Sequence, residues 1–174
     1  IPSRNGSNQI TSFVQQPSGS SSSSSSSGSG GQPTTAYEYS YLSGGNNGGR
    51  LQTVTQKRGA VGVRRTQNSY YDTGSANGGI GDLQAVTLQQ YNGVGWDTLA
   101  TTYHRYYKAG DAHGFAHGLK YVVSPATYEL MLNRGIVPES AADAVVATYA
   151  DLYLEYDANQ RVTLMRQSGT STWT

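Results

Sequence analysis

One unit recurs four times along this chain, and it limits the available folds more than any other feature. A strand-like run bearing tyrosine is followed by a Gly/Asn-rich turn, then by a second run opening on Gly-x-Leu-x-x-Val or a variant. The first copy joins Tyr37 and Tyr39 to Gly49, Arg50 and Leu51, and the second joins Tyr71 and Asp72 to Gly81 and Leu83. A looser third copy joins Tyr106 and Tyr107 to Gly118 and Leu119, and the fourth joins Tyr153, Tyr156 and Asp157 to Arg161 and Val162. Successive second runs are offset by 32, 36 and 43 residues, from Leu51 to Leu83, Leu119 and Val162. A fixed unit with variable insertions marks an array in which each hairpin buries its apolar face only against its neighbours.

Period-two alternation extends this reading along the chain. Strands are expected near 10–15, 36–42, 50–57, 61–71, 82–91, 96–108, 118–124, 152–157 and 161–167. Asn92-Gly93 is a hairpin signal. One stretch departs from the pattern. Ser124 offers an N-cap before Pro125 at the first helical position, predicting a helix to about Asn133 with Gly135 as its stop. Ser140 and Asp143 have capping-box spacing and predict a second helix to about Ala150. The fold class is therefore mainly β: an antiparallel hairpin-repeat sheet with a short two-helix insertion at about 125–150.

Composition agrees. Charged residues are only 13%, while Gly (22) and Tyr (14) are abundant. Tyr and Thr favour strands; Gly and Asn favour turns. Residues 18–35 are almost wholly Ser and Gly at first and read as a flexible linker, separating an N-terminal segment at 1–17 from a sheet region at 36–174. Both ends read as cut, so the chain is taken as a piece of a longer protein.

Several function classes are disfavoured. Net charge is +1, and no Lys/Arg run exceeds Lys57-Arg58 or Arg64-Arg65, which gives no footprint for nucleic acid. No apolar stretch reaches the roughly 20 residues of a membrane helix, so no membrane insertion is expected. Cysteine is absent, which removes disulfides and thiolate metal sites.

The best metal candidate is Asp111, His113 and His117, one carboxylate and two imidazoles that would need a further ligand to hold Zn²⁺. The Gly-broken segment does not fix the two imidazoles on one face, so solvated loop histidines are the stronger reading. The loop from Asp72 to Asp82 spaces oxygen ligands as Ca²⁺ could use them, but without EF-hand spacing. Glu38 and Glu155 sit between tyrosines in two units and read as outward charges that limit aggregation. No catalytic residue and no cofactor are expected. Tyr and Trp (Trp96, Trp173) are candidates for stacking on sugars, and Asn5-Gly6-Ser7 is a glycosylation sequon.

The units resemble the Rhs/YD-repeat family, whose repeats read roughly Tyr-x-Tyr-Asp-x-x-Gly-Arg-Leu/Val. The best match is Tyr153 to Val162, and the resemblance covers about residues 36 to 174. It departs at Gln160, which stands where the family has Gly. That exchange costs about 1 kcal/mol in a left-handed turn, unless Asn159 takes the strained position. The resemblance implies a broad β-sheet spiralling into a hollow shell, which in some relatives encloses a toxin and in others forms surface or adhesive assemblies. It implies an extracellular or cell-surface location and a non-catalytic structural role. The partners it implies are the rest of a parent YD-repeat chain or copies of the chain itself. The runner-up is a carbohydrate-binding or adhesive module using exposed Tyr and Trp, and an enzyme or toxin domain is disfavoured.

Overall fold

The computed structural model describes residues 2–15 and 34–168. The body of the expected Ser/Gly linker and Trp173 lie outside them. Ten antiparallel strands form one sheet, and their order in space is their order in sequence. The strands are β1 (Ser3–Arg4), β2 (Ile10–Gln15), β3 (Thr35–Tyr41), β4 (Leu51–Arg58), β5 (Val61–Tyr70), β6 (Leu83–Tyr91), β7 (Trp96–Tyr106), β8 (Leu119–Val123), β9 (Leu152–Tyr156) and β10 (Val162–Gln167). Among the described residues consecutive strands are joined by turns or loops, except at the helical excursion between β8 and β9, and the sheet is a meander. β2 pairs with β3 across the linker, Phe13 facing Tyr37 and Val14 facing Ala36.

The β6–β7 hairpin shows local sequence setting local structure. Asn92 accepts on its side-chain oxygen from the backbone N–H groups of Val94 and Gly95. Gly93 takes φ +99°, open to Gly without a Cβ clash.

Two helices, α1 (Pro125–Asn133) and α2 (Asp143–Tyr149), form the excursion between β8 and β9. α1 begins and ends as the sequence predicts: Ser124 Oγ accepts from Thr127 N–H, and Gly135 follows the last turn at φ +73°. α2 corrects the capping-box expectation. Its N-cap is Ala142, with no side-chain bond, and its first helical residue is Asp143. Ser140 instead turns its hydroxyl to the Val137 carbonyl. The Asp143 carboxylate cannot fold back on a cap because Arg105 and Lys120 hold it, at 3.0 and 2.6 Å.

The core lies at this end of the sheet. Tyr71, Ala85, Tyr103, Tyr121 and Val123 from the strands and loops bury with Met131 of α1 and Val146 of α2. Arg105 is the polar member, with 1% of its side chain exposed. It donates to the Asp143 carboxylate, to the Pro138 and Ala141 carbonyls, and to the Tyr103 hydroxyl. A buried guanidinium is tolerated only with such a full set of acceptors. Asp151, just after α2, accepts from Ser124 N–H and from the Thr127 hydroxyl, tying both ends of the insertion together.

This insertion carries an acid sensitivity. Burial opposes ionisation of Asp143, but the hydrogen bonds from Lys120 and Arg105 outweigh it and hold the carboxyl below its ordinary value. The same balance holds for Asp151, where the bonds from Ser124 and Thr127 outweigh burial. A lowered native value means the stabilisation is fully present above the unfolded value, about 4, and disappears as pH falls through the native value beneath it. Urea midpoints measured downward from about pH 5 to about pH 2 are expected to fall, and Asp143→Asn should flatten that acid limb. An unchanged limb in the variant would show that other carboxylates drive it.

Candidate functional site

The four hairpins close identically in hydrogen bonding. Leu42, Tyr71, Tyr107 and Asp157 each donate to the carbonyl of Arg50, Asp82, Gly118 and Arg161, respectively, and their own carbonyls accept from Gly49, Gly81, His117 and Gln160, at 2.8 to 3.1 Å. These last four residues all have positive φ, at +81°, +86°, +71° and +63°. Two residues later stand Leu51, Leu83, Leu119 and Val162. One residue beyond each of those the ladder skips, at Gln52, Gln84, Lys120 and Thr163, leaving the same bulge in every unit.

This geometry corrects two assignments. The tyrosine of the first unit is Tyr41, facing Leu51 as Tyr70, Tyr106 and Tyr156 face Leu83, Leu119 and Val162. Tyr37 and Tyr39 are ordinary ladder residues, paired with Gln56 and Val54. In the third unit the residue in the glycine position is His117, and Gly118 is the equivalent of Arg50. Loop lengths differ between units, so counting from the aromatic residues misplaces both; backbone bonds do not depend on that count. In the fourth unit Gln160, not Asn159, takes the left-handed conformation. Gln160→Gly is expected to stabilise the chain by about 0.5–1 kcal/mol, the left-handed strain relieved less the added backbone entropy. Thermal or urea unfolding checks this, and a loss of stability would contradict it.

The second and third units also share their junctions with the unit that follows. Tyr71 and Tyr107 donate to the carbonyls of His104 and Leu154, both at 2.7 Å. Their hydroxyls lie 2.9 and 3.4 Å from those of Tyr103 and Tyr153. Their rings meet Tyr106 and Tyr156 edge-on at 6.2 and 6.1 Å. Gly78 and Gly114 lie flat on these rings, where an added Cβ would come within 2.3 and 2.1 Å. The carbonyls of Asn77 and His113 accept from Tyr106 and Tyr156 N–H, both at 2.8 Å. A third set of bonds runs backward: Tyr41, Tyr70 and Tyr156 donate to the carbonyls of Ile10, Leu51 and Leu119. Burial raises the Tyr71 and Tyr107 hydroxyls well above the ordinary phenol value and the Tyr106 hydroxyl to about 12. These tyrosines therefore stay protonated donors rather than bases.

The metal candidates are drawn apart by the same architecture. The Asp111 carboxylate accepts from Lys108 N–H and closes its own loop, as Ser75 does for Asp72 N–H in the preceding unit. His113 faces Glu155 at 3.6 Å, while His117 faces Asp82 at 2.8 Å. Each histidine thus joins the third loop to a different neighbouring unit. Among the described residues, no three His, Asp or Glu side chains converge in a way that could hold a metal ion. The expected Ca²⁺ loop is also committed elsewhere: Asp72 accepts from Asn46 and Thr73, and Asp82 from Gly79 N–H. Glu38 pairs with Lys57, and Glu155 accepts from the Tyr153 hydroxyl. Arg50 lies over Gly81, the atom overlap a Cβ would meet there explaining the glycine, and Asp157 clamps Arg161 within its own short turn.

None of the 14 tyrosines is exposed. Trp96 is half-buried under Arg65, whose guanidinium carbon lies 4.5 Å from the ring centre, and against Tyr91 at 5.5 Å. These tyrosines and Trp96 therefore pack within the sheet and its junctions. Beside the core, a groove of about 560 Å³ separates α1 from the sheet and is lined mainly by Ser, Thr, Gln and Glu. No helix among the described residues is long and apolar enough to cross a membrane. Comparison with protein-family models gives no match, and comparison with curated proteins gives none either.

Proposed function

We infer that this chain is a structural segment of a larger extracellular or cell-surface β-assembly of the Rhs/YD-repeat type, a shell or a fibre, with no catalytic role of its own. The observation that carries this reading is the junction made twice with the same atoms, Tyr71 to the third unit and Tyr107 to the fourth. A junction that repeats by translation along a sheet is an extensible device: the next unit needs only the same tyrosine and the same turn. The phenols hold units together as hydrogen-bond donors, and burial moves their ionisation still further above neutral pH. Partners on this reading are the remaining units of a parent chain or further copies of this one. Either would pair with the outer edge of β10, where Val162 is more than half exposed.

Surface labelling of intact producing cells, with negative-stain microscopy of the purified chain, tests the proposal. Labelled protein outside the cell, and edge-to-edge association abolished by Thr163→Lys with Met165→Lys, are the expected results. A chain confined to the cytosol and monomeric at all concentrations would overturn it.

A further inference from the structure

The β4–β5 hairpin carries four cationic side chains, Lys57, Arg58, Arg64 and Arg65, and the sheet divides them between its two faces. Cross-strand partners in an antiparallel sheet project to the same face. On the face that carries the helices, Lys57 pairs with Glu38 at 2.8 Å, and Arg65 donates to Gln89 and lies over Trp96. On the opposite face one row runs Tyr37, Gln56, Arg64, Gln90, Asp97 across β3 to β7. Arg58 stands two residues from Gln56 on that face. Both Arg58 and Arg64 are exposed, and among the described residues neither has a side-chain hydrogen bond or ion pair. With Gln56 and Gln90 they line a polar hollow of about 440 Å³. The neighbouring row is mainly apolar, with Val54, Thr66 and Leu88 in register. These three and Tyr37 line a second hollow of about 140 Å³, and Val54 and Leu88 are only half-buried there. The two hollows share Gln56 and Arg64, so they make one depression with a cationic end and an apolar end.

We propose that this depression binds a small amphiphilic monoanion, a carboxylate joined by a short chain to one apolar ring. Three features select that ligand. Arg58 and Arg64 present planar guanidinium forks with no acceptor of their own, and a carboxylate takes such forks in paired hydrogen bonds. The amide groups of Gln56 and Gln90 add donors beside them. The charge of the patch suits a single negative charge. Asp97 ends the polar row, its carboxylate accepting from Asn92 at 2.9 Å, and it offsets one of the two arginines. The apolar hollow suits a single ring, since a cavity of roughly 150 Å³ lined by apolar side chains holds benzene. The rows of Arg64 and Thr66 are two residues apart along β5, roughly 6.5–7 Å. A carboxylate and a ring separated by a short chain span that distance. The arginines fix the anionic end, and burial of Val54 and Leu88 beneath the ring supplies the apolar gain. No residue of the depression belongs to the repeat junctions, so the site stands or falls independently of the assembly role.

NMR and isothermal titration of the full chain with 3-phenylpropionate tests this. Acetate serves as the head alone, 3-phenylpropanol as the uncharged body, phenyl phosphate as the dianion and heparin as a polyanion. The expected result is saturable binding of 3-phenylpropionate, about tenfold or more tighter than any of the two fragments and tighter than phenyl phosphate. Arg64→Gln should weaken it about tenfold, and Leu88→Thr should weaken it several-fold while leaving acetate unaffected. Lys57→Gln removes the same charge from the opposite face and should change nothing. Arg64 is exposed, so its variant folds as the parent does, and urea midpoints check this for all three. The proposal is overturned if 3-phenylpropionate does not bind, or if acetate, the alcohol or phenyl phosphate binds as tightly. Binding of heparin alone, or equal losses in Arg64→Gln and Lys57→Gln, would overturn it too, by reducing the site to general surface charge.

Discussion

Replacing Arg105 with alanine is expected to cost about 3–5 kcal/mol of unfolding free energy, the largest effect of any single substitution proposed for this chain. The guanidinium is almost fully buried and joins β7 to the connection between the helices, through the Pro138 and Ala141 carbonyls, and to Asp143, the first residue of α2. Its removal leaves the Pro138 and Ala141 carbonyls without their donor and opens a side-chain-sized void against Tyr103. Arg105→Lys keeps the charge but cannot present the planar fork that reaches these acceptors together, so a substantial part of the loss should remain. Urea unfolding gives the magnitude. Amide exchange locates it: protection should fall first in α1 and α2, while β3 to β6 keep theirs. A cost below about 1 kcal/mol would show that the insertion is held by its other contacts, those of Met131, Val146 and Asp151 among them.

Gly114→Ala is expected to destabilise by about 1–3 kcal/mol or more, because the new methyl must displace the Tyr107 ring. That ring cannot retreat without releasing its bond to the Leu154 carbonyl and its contact with Tyr156. Gly78→Ala should behave alike against Tyr71, the two glycines being equivalent positions of one junction. Two comparisons separate sterics from backbone strain. At Gly110 a Cβ meets open space, but φ is +90°, so alanine there costs about 1 kcal/mol. At Gly95 a Cβ also meets open space and φ is not positive, so alanine should be close to neutral. Thermal and urea unfolding of the four variants should rank Gly114 and Gly78 first, Gly110 next and Gly95 last. Equal costs at Gly114 and Gly95 would refute the packing of glycine on the tyrosine ring.

The amino-acid sequence by itself determined the strands, the turns and the position of the helical insertion. Those follow from short-range rules: alternation of Tyr, Thr and Val with polar residues, Gly and Asn where φ turns positive, Ser124 before Pro125. The recurrence of a unit was also legible, because tyrosine and Gly-x-Leu recur together. The register of that unit was not. Tyr41 hides behind Tyr37 and Tyr39, and His117 stands beside a glycine that looks like the better match, so only the backbone bonds of Leu42 and Tyr107 decide between them. Tertiary structure alone also decided what the polar side chains do. Arg105 and Asp143 are 38 residues apart, as are no neighbours a local rule could pair, and meet because the insertion folds back over β7. Asp111, His113 and His117 lie close in sequence yet are separated, since each side chain answers to a different neighbouring strand or loop. The polar residues Ser40, Thr53, Gln67, Thr87 and Thr101 are scattered over five strands in the sequence and fall in a line only when antiparallel pairing sets the partners side by side. Local preference fixes the backbone's path; which distant groups share a face or a junction depends on pairing register, which the chain acquires only on folding.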